Sequence, residues 1–422
     1  MNGGLSMVEM KSGYKMTEVG VIPEDWEVKE LSSISEIKSG KRLPKGSLVT
    51  SSKTPYPYIR VIDMNMGYLK LSDIMYVPEN VQPMISKYII SKNDIYISVA
   101  GTLGLVGKIP EELDGANLTE NANRITEIQC NRDYLMYYMM SPLIQNVIEA
   151  ERTIGAQPKL ALQRIRDFYV VLPRDNREQA AIAAALSDVD SLISALTKKI
   201  EKKKAIKQGL MQQLLTGKKR LPGFNDKWKS MLLGDIAEVK DGTHQTPKYV
   251  KSGGKPFYSV ENVTADDFKN VKHISLEEHK ALTSNYRIEK GDVLMTRIGS
   301  IGCCKYVDWD VDASFYVSLA LLKINEKYDS KFISYLSNIK SFKEEVMLNS
   351  LVFAIPQKIN LGNISLIKVY IPTSKAEQTA ISNILSDCDS EIAALEEKRD
   401  KYKEIKQGMM QQLLTGKIRL IK

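Results

Sequence analysis

One stretch of about 44 residues occurs twice. Glu178–Leu221 reads EQAAIAAALSDVDSLISALTKKIEKKKAIKQGLMQQLLTGKKRL, and Glu377–Leu420 reads EQTAISNILSDCDSEIAALEEKRDKYKEIKQGMMQQLLTGKIRL. About 29 of the aligned positions are identical at a constant offset of about 199 residues, which marks an internal repeat. Each copy closes one half of the chain. The fold must therefore be a two-fold repeat written in one polypeptide.

The repeated stretch predicts a long helix. Apolar residues fall at Ile182, Leu186, Val189, Ile193, Leu196 and Ile200, and again at Ile381, Leu385, Cys388, Ile392 and Leu395, the alternating four- and three-residue steps of a coiled-coil seam. The seam then changes phase to Ile206, Leu210 and Leu214, and to Ile405, Met409 and Leu413. Neither copy contains Pro, and Gly217 and Gly416 suit C-terminal caps. About 39 helical residues would span roughly 58 Å.

Charge suggests that the copies pair with each other. Arg177–Arg220 carries about six net positive charges and Glu377–Lys422 about none. If the helix midpoints meet, Lys198 and Lys199 approach Glu396 and Glu397, which sets partner choice more than stability. Parallel and antiparallel pairing both satisfy this pattern.

Around the helices the chain reads as a flexible lead-in over 1–16, a globular unit over 17–173, the first helix over 174–221, a second unit over 222–372 and the second helix over 373–422. In the first unit, Leu31, Ile34 and Ile37 suggest a helix-like segment, followed by Ser39-Gly40-Lys41-Arg42-Leu43-Pro44-Lys45-Gly46. Tyr58–Ile62 and Asp94–Val99 read as strands, with a turn at Gly101 and Gly104. Tyr134–Ile148 reads as a helix, and Phe168–Leu172 as a strand ended by Pro173. The second unit repeats this plan at much weaker identity: Trp228 stands for Trp26, Gly234–Gly242 for the stretch ending at Gly40, and Val369–Pro372 for Val170–Pro173. Helices nearly copied beside diverged units imply one common geometry presenting two different binding surfaces.

Composition excludes several classes. At 422 residues the chain can hold two or three domains. A net charge of +8 and pI near 8.9 are compatible with nucleic acid as partner. Cys130, Cys303, Cys304 and Cys388 show no metal or redox spacing and fit a reducing cytoplasm. The opening residues lack the apolar core of a signal peptide, and no run of about 18 apolar residues suggests a membrane helix. Enzyme motifs are missing too. Gly101–Gly107 lacks the Lys-Ser/Thr end of a phosphate loop, the Asn/Asp-Pro-Pro-aromatic motif of amino-methyltransferases is absent, and Glu36-Ile37-Lys38 and its kin lack the preceding Asp of a nuclease site. His244, His273 and His279 have no metal-ligand spacing. The expectation is a chain with no catalytic, metal or cofactor site of its own.

Polar and basic loops occur at matched points of the two units. They hold Lys41, Arg42 and Lys45 in the first, and Thr243, His244, Gln245, Thr246, Lys248 and Tyr249 in the second. Such residues supply partners for phosphates and for base edges. Arg60 and Arg124 are further candidates in the first unit. Arg297 is one in the second, where the turn at Gly299 would let it reach outward. Gln157-Pro158-Lys159 and Pro356-Gln357-Lys358 stand at equivalent positions before a strand and add Lys159 and Lys358. A coiled-coil adaptor whose globular units bind protein is the alternative, disfavoured by basic loops at matched positions.

The pattern EQxxI…LSDxDSxIxAL…KxxxIKQGxMQQLLTGKxRL between two variable units resembles the specificity subunit of type I restriction–modification systems, over nearly the whole chain. The resemblance implies an α+β architecture: two globular α/β target recognition domains joined by two long helices packed as an antiparallel coiled coil. It implies that each domain reads one half of a split, asymmetric site in double-stranded DNA. It implies that the helices set the spacer and dock methyltransferase subunits, two in number, which carry the S-adenosylmethionine chemistry. Restriction–translocase subunits then join the complex. It places Lys41, Arg42, Thr243, His244 and Gln245 in or near recognition loops.

Overall fold

The computed structural model describes residues 12–151, 159–351 and 353–421. Both repeats are single helices, Asn176–Leu214 and Lys375–Leu413, of 39 residues each. Gly217 and Gly416 follow them with φ of 69°, the left-handed conformation that ends a helix and favours glycine.

Two compact units emerge, and they do not follow the chain in order. One comprises Met1–Leu196 with Lys398–Lys422, the other Thr197–Glu397. Each is therefore closed by a segment from the other half of the repeat.

In the first unit, Ile182, Ala183 and Leu186 of the first long helix share one core with Met410 and Leu413 of the second and with Leu414 just past its end. Asp190 pairs with Lys406 at 2.7 Å and Glu178 with Arg419 at 2.6 Å, so the two segments run antiparallel. A four-stranded antiparallel sheet runs in the order Glu36–Ser39, Ala122–Thr126, Ile95–Ser98, Val106–Lys108. A second sheet joins Met75–Tyr76, Pro57–Ile59, Ala116–Leu118 and Ile89–Ile90. Trp26–Glu30 pairs with Tyr169–Pro173, setting Trp26 opposite Pro173 where the first long helix begins.

The second unit repeats the topology of the first sheet, whereas its second sheet shares three strands and carries its fourth, Tyr249–Val250, on the edge opposite to that of Ile89–Ile90. Ala237–Asp241, Leu319–Ile324, Val293–Thr296 and Cys304–Tyr306 form the antiparallel sheet, and Tyr249–Val250, Lys272–Ile274, Lys255–Tyr258 and Ser314–Phe315 the second. Trp228 stands opposite Pro372. Leu214, the last residue of the first long helix, and Leu215 just past it share a core with Ile381 and Leu385 of the second. Full burial of such a side chain contributes roughly 1.5–3 kcal/mol.

Several expectations need correction. Tyr14–Thr17 is a strand paired with Gly20–Pro23, so ordered structure begins inside the expected lead-in. Leu31–Ser33 is a single 3-10 turn and Glu36–Ser39 a strand, because the three-residue steps of Leu31, Ile34 and Ile37 suit a tight turn running into an extended chain. Ser141-Pro142 divides the helix expected over Tyr134–Ile148 into Arg132–Met140 and Pro142–Ala150, since Pro has no N–H to continue the first. Ile206 and Ile405 are exposed rather than in the seam. Glu396 pairs with Lys204 at 2.6 Å, not with Lys198 or Lys199, because the antiparallel register sets Lys203 against Glu391 and Lys207 against Asp389. One 18-residue window of Asn176–Leu214 is apolar enough to cross a membrane, with mean hydropathy 1.4. Ile182 and Leu186 of that helix lie in the core of the first unit, and its Asp190 bonds Lys406 and Tyr137.

Candidate nucleic-acid interface

Both candidate loops leave the first strand of the antiparallel sheet through a glycine pressed on backbone. A Cβ at Gly40 would lie 2.0 Å from the Thr119 carbonyl oxygen, and one at Gly242 would lie 2.5 Å from the Tyr316 carbonyl carbon. Only glycine permits that approach, so both loops start from a fixed point. Lys41 N–H donates to Leu118 O at 2.8 Å, and Thr243 N–H to Phe315 O at 3.1 Å.

In the second unit, Asp241 organises the surface. One carboxylate oxygen meets His244 Nε2 at 2.8 Å, and the other takes a hydrogen bond from Arg297 Nη1 at 2.5 Å. Arg297 also donates to Ile359 O at 3.3 Å. Its guanidinium is thus buried beneath the loop and does not reach outward: Gly299 turns the chain, and Asp241 holds the side chain in. The buried cation positions the loop rather than presenting charge. His244, Gln245, Thr246 and Lys248 are exposed, while buried Pro247 anchors the loop between them. Tyr249 is exposed at the start of a strand, with its ring edge-on to Phe257 and Lys272 above its face. Lys358 is exposed, and its backbone pairs with Ile298 beside the Arg297–Gly299 turn. The fold therefore gathers Thr243, His244, Arg297 and Lys358 around Asp241.

The first unit uses the same frame with different side chains. Lys41, Arg42 and Lys45 are exposed, and Arg42 Nε donates to Glu120 Oε1 at 2.6 Å. Burial raises the Glu120 carboxyl, but the Arg42 bond, with backbone and Thr119 bonds, brings it below the usual range. Lys41 Nζ lies 5.5 Å over the Tyr88 ring. Val99 N–H donates to Asn121 O at 2.7 Å and Leu160 N–H to Val99 O at 2.9 Å, which brings exposed Lys159 to the same edge. Arg60 is committed elsewhere: it forms two bonds to buried Asp63, at 3.0 and 2.8 Å, and one to Asp73 O at 2.7 Å. Arg124 lies mid-sheet with its guanidinium on Ile89 O. Gln157 and Pro158 lie outside the described residues.

Asp241 opens the second loop in the sequence but is not one of its candidate DNA-binding residues, and neither is Glu120 in the first unit. A search for cations and base-reading groups passes over carboxylates. The available signal was Asp241 itself, one residue before a glycine that parallels Gly40. Among the described residues no group of three or more His, Cys, Asp or Glu is placed to hold a metal ion.

Comparison with known proteins is consistent with this geometry. The family described as Type I restriction modification DNA specificity domain matches twice, over residues 23–208 and 225–407. A Methanocaldococcus jannaschii chain, named as specificity subunit of the MjaX type I restriction enzyme, is 29% identical, with 97% of each chain covered. The MjaVIII specificity subunit of the same organism is 24% identical over 94% of each chain. Among solved structures, the type I restriction–modification S subunit from M. genitalium superposes with a TM-score of 0.60 at 18% identity, covering 92% of this chain and 96% of that one.

Proposed function

Since this chain belongs to the type I restriction–modification DNA specificity family, we propose that it is the non-catalytic DNA-recognition subunit of such a complex, working in the cytoplasm. Each globular unit reads one half of a split, asymmetric site in double-stranded DNA. The two long helices set the spacer and dock methyltransferase subunits, two in number, with restriction–translocase subunits joining through that assembly. The S-adenosylmethionine chemistry belongs to the methyltransferase subunits.

One observation carries the reading: two loops spring from the same glycine-pinned point of the same sheet yet present different side chains. A shared frame with unlike tips suits two unlike half-sites. In this reading Lys41, Arg42, Lys45, Lys159, Lys248 and Lys358 meet phosphates, while Thr243, His244, Gln245, Thr246 and Tyr249 face bases. Arg60, Arg124 and Arg297 hold the surfaces in shape.

Mapping methylated adenines in a genome carrying the whole system tests the proposal. A motif of two unlike halves around a fixed unread gap supports it. A protein adaptor would leave no motif, and its binding would lack the steep salt dependence of phosphate contacts.

A further inference from the structure

Among the described residues, the two most exposed large apolar side chains sit on one loop of the second unit. Phe353 is 98% exposed and Ile355 100%, with Ala354 between them. The loop joins the helices Lys340–Leu348 and Leu361–Ser365. Its stem is well held. Leu351 N–H donates to Lys358 O at 2.8 Å and Ala354 N–H to Leu351 O at 3.1 Å. Gly299 N–H donates to Gln357 O at 2.8 Å and Ile359 N–H to Arg297 O at 2.9 Å. The tip is therefore braced on the turn that Asp241 organises, beside the proposed base-reading loop. From Val346 to Ile367 the single charged residue is Lys358, so no carboxylate of this stretch opposes an approaching phosphate.

We propose that Phe353 and Ile355 form an apolar wedge that enters the base stack of the second half-site and opens one base step. The inference rests on the DNA-recognition reading above. Apolar side chains placed between base steps unstack and kink a duplex, and the bend brings more protein into contact. Phe353 supplies a flat face for a base, and Ile355 fills the gap beside it. The wedge belongs to one half-site. At an offset of about 199 residues the first unit has Ile154 and Ala156, neither of them aromatic.

The test uses the full chain in complex with its methyltransferase subunits, on duplexes carrying the mapped site with 2-aminopurine substituted at successive positions other than the methylated adenines, which a methyltransferase itself turns out of the stack. The wild-type complex should brighten at one step of the second half-site and at none of the first. F353A/I355A should lose that signal and about tenfold in affinity, with the methylated sequence unchanged. Phe353→Trp should keep the signal. A wild-type complex that binds its site without brightening, or a double variant that brightens as before, overturns the wedge. So does a double variant that no longer co-purifies with the methyltransferase subunits, which would make the loop a protein contact. A wild-type complex with no site-specific binding would instead overturn the DNA reading on which the wedge rests.

Discussion

Arg419 clasps Glu178, 241 residues earlier in the chain, through two hydrogen bonds of 2.6 and 2.7 Å. The Glu178 carboxylate is 1% exposed and also accepts from Trp26 Nε1 at 3.1 Å. Arg419 stacks 5.5 Å over the Trp26 ring and reaches Asp25. The second unit repeats the clasp: Arg220 holds buried Glu377 at 2.6 and 2.7 Å and lies 5.8 Å over Trp228. In each case the end of one repeat locks the beginning of the other.

Removing the cation should expose how much the clasp contributes. Arg419→Ala leaves Glu178 buried without its partner, which typically costs 3–5 kcal/mol. Urea unfolding followed by tryptophan fluorescence should show a large loss, because Trp26 reports on this site. A paired replacement, Glu178→Leu with Arg419→Met, should cost less than Arg419→Ala alone, since no charge is stranded. Equal losses would mean that packing, not charge compensation, dominates.

The clasp also fixes a pH signature. The Arg419 hydrogen bond, opposed by burial, holds the Asp25 carboxyl below its ordinary value of 3.8. A depressed carboxyl contributes stability above its unfolded value and loses it as pH falls through the folded one. Stability from this pair should therefore be flat from pH 5 to 8 and fade below about 4. Comparing Asp25→Asn with wild type across that range checks it. A difference between the two that grows below pH 4 contradicts the assignment.

Much of this fold was legible in the sequence, for identifiable reasons. The helices showed because apolar spacing and glycine caps are local signals, and their duplication made them unmistakable. The matched loops showed because Gly40 and Gly242 sit at equivalent points. The interleaving of the units was hidden, since it depends on Arg419 meeting Glu178 across the chain, and one sequence does not reveal such pairs. Lys198 and Lys199 drew attention as a charge block, but the register is set by Lys207 with Asp389 and by Lys406 with Asp190. Arg60 and Arg297 looked available because a cation near a turn reads as surface. Burial of Asp63 and the position of Asp241 decide otherwise.

Asp241 should act on specificity without touching DNA. Asp241→Asn removes the charge that orients His244 and holds Arg297 under the loop. Binding should fall about tenfold, the equivalent of ~1.4 kcal/mol, and discrimination should relax in the second half-site only. Footprinting on the mapped site measures both. Unchanged discrimination with reduced affinity would reduce Asp241 to a structural support.

The spacer should follow helix length. Inserting four residues after Ile200 and four after Arg399 lengthens both helices by about 6 Å, close to two base pairs at about 3.4 Å each. A variant that still methylates should show the same half-sites around a longer gap. An unchanged gap would show that the helices do not measure it.

The central claim is that one unit reads one half-site. It is tested most directly by comparing the methylated-adenine map of the wild-type system with that of a variant carrying Thr243→Ala, His244→Ala and Gln245→Ala. The account predicts that one half of the motif becomes degenerate or methylation is lost, while any methylated sites that remain keep the other half and the gap intact. A map in which both halves relax together, or in which neither changes, would contradict it.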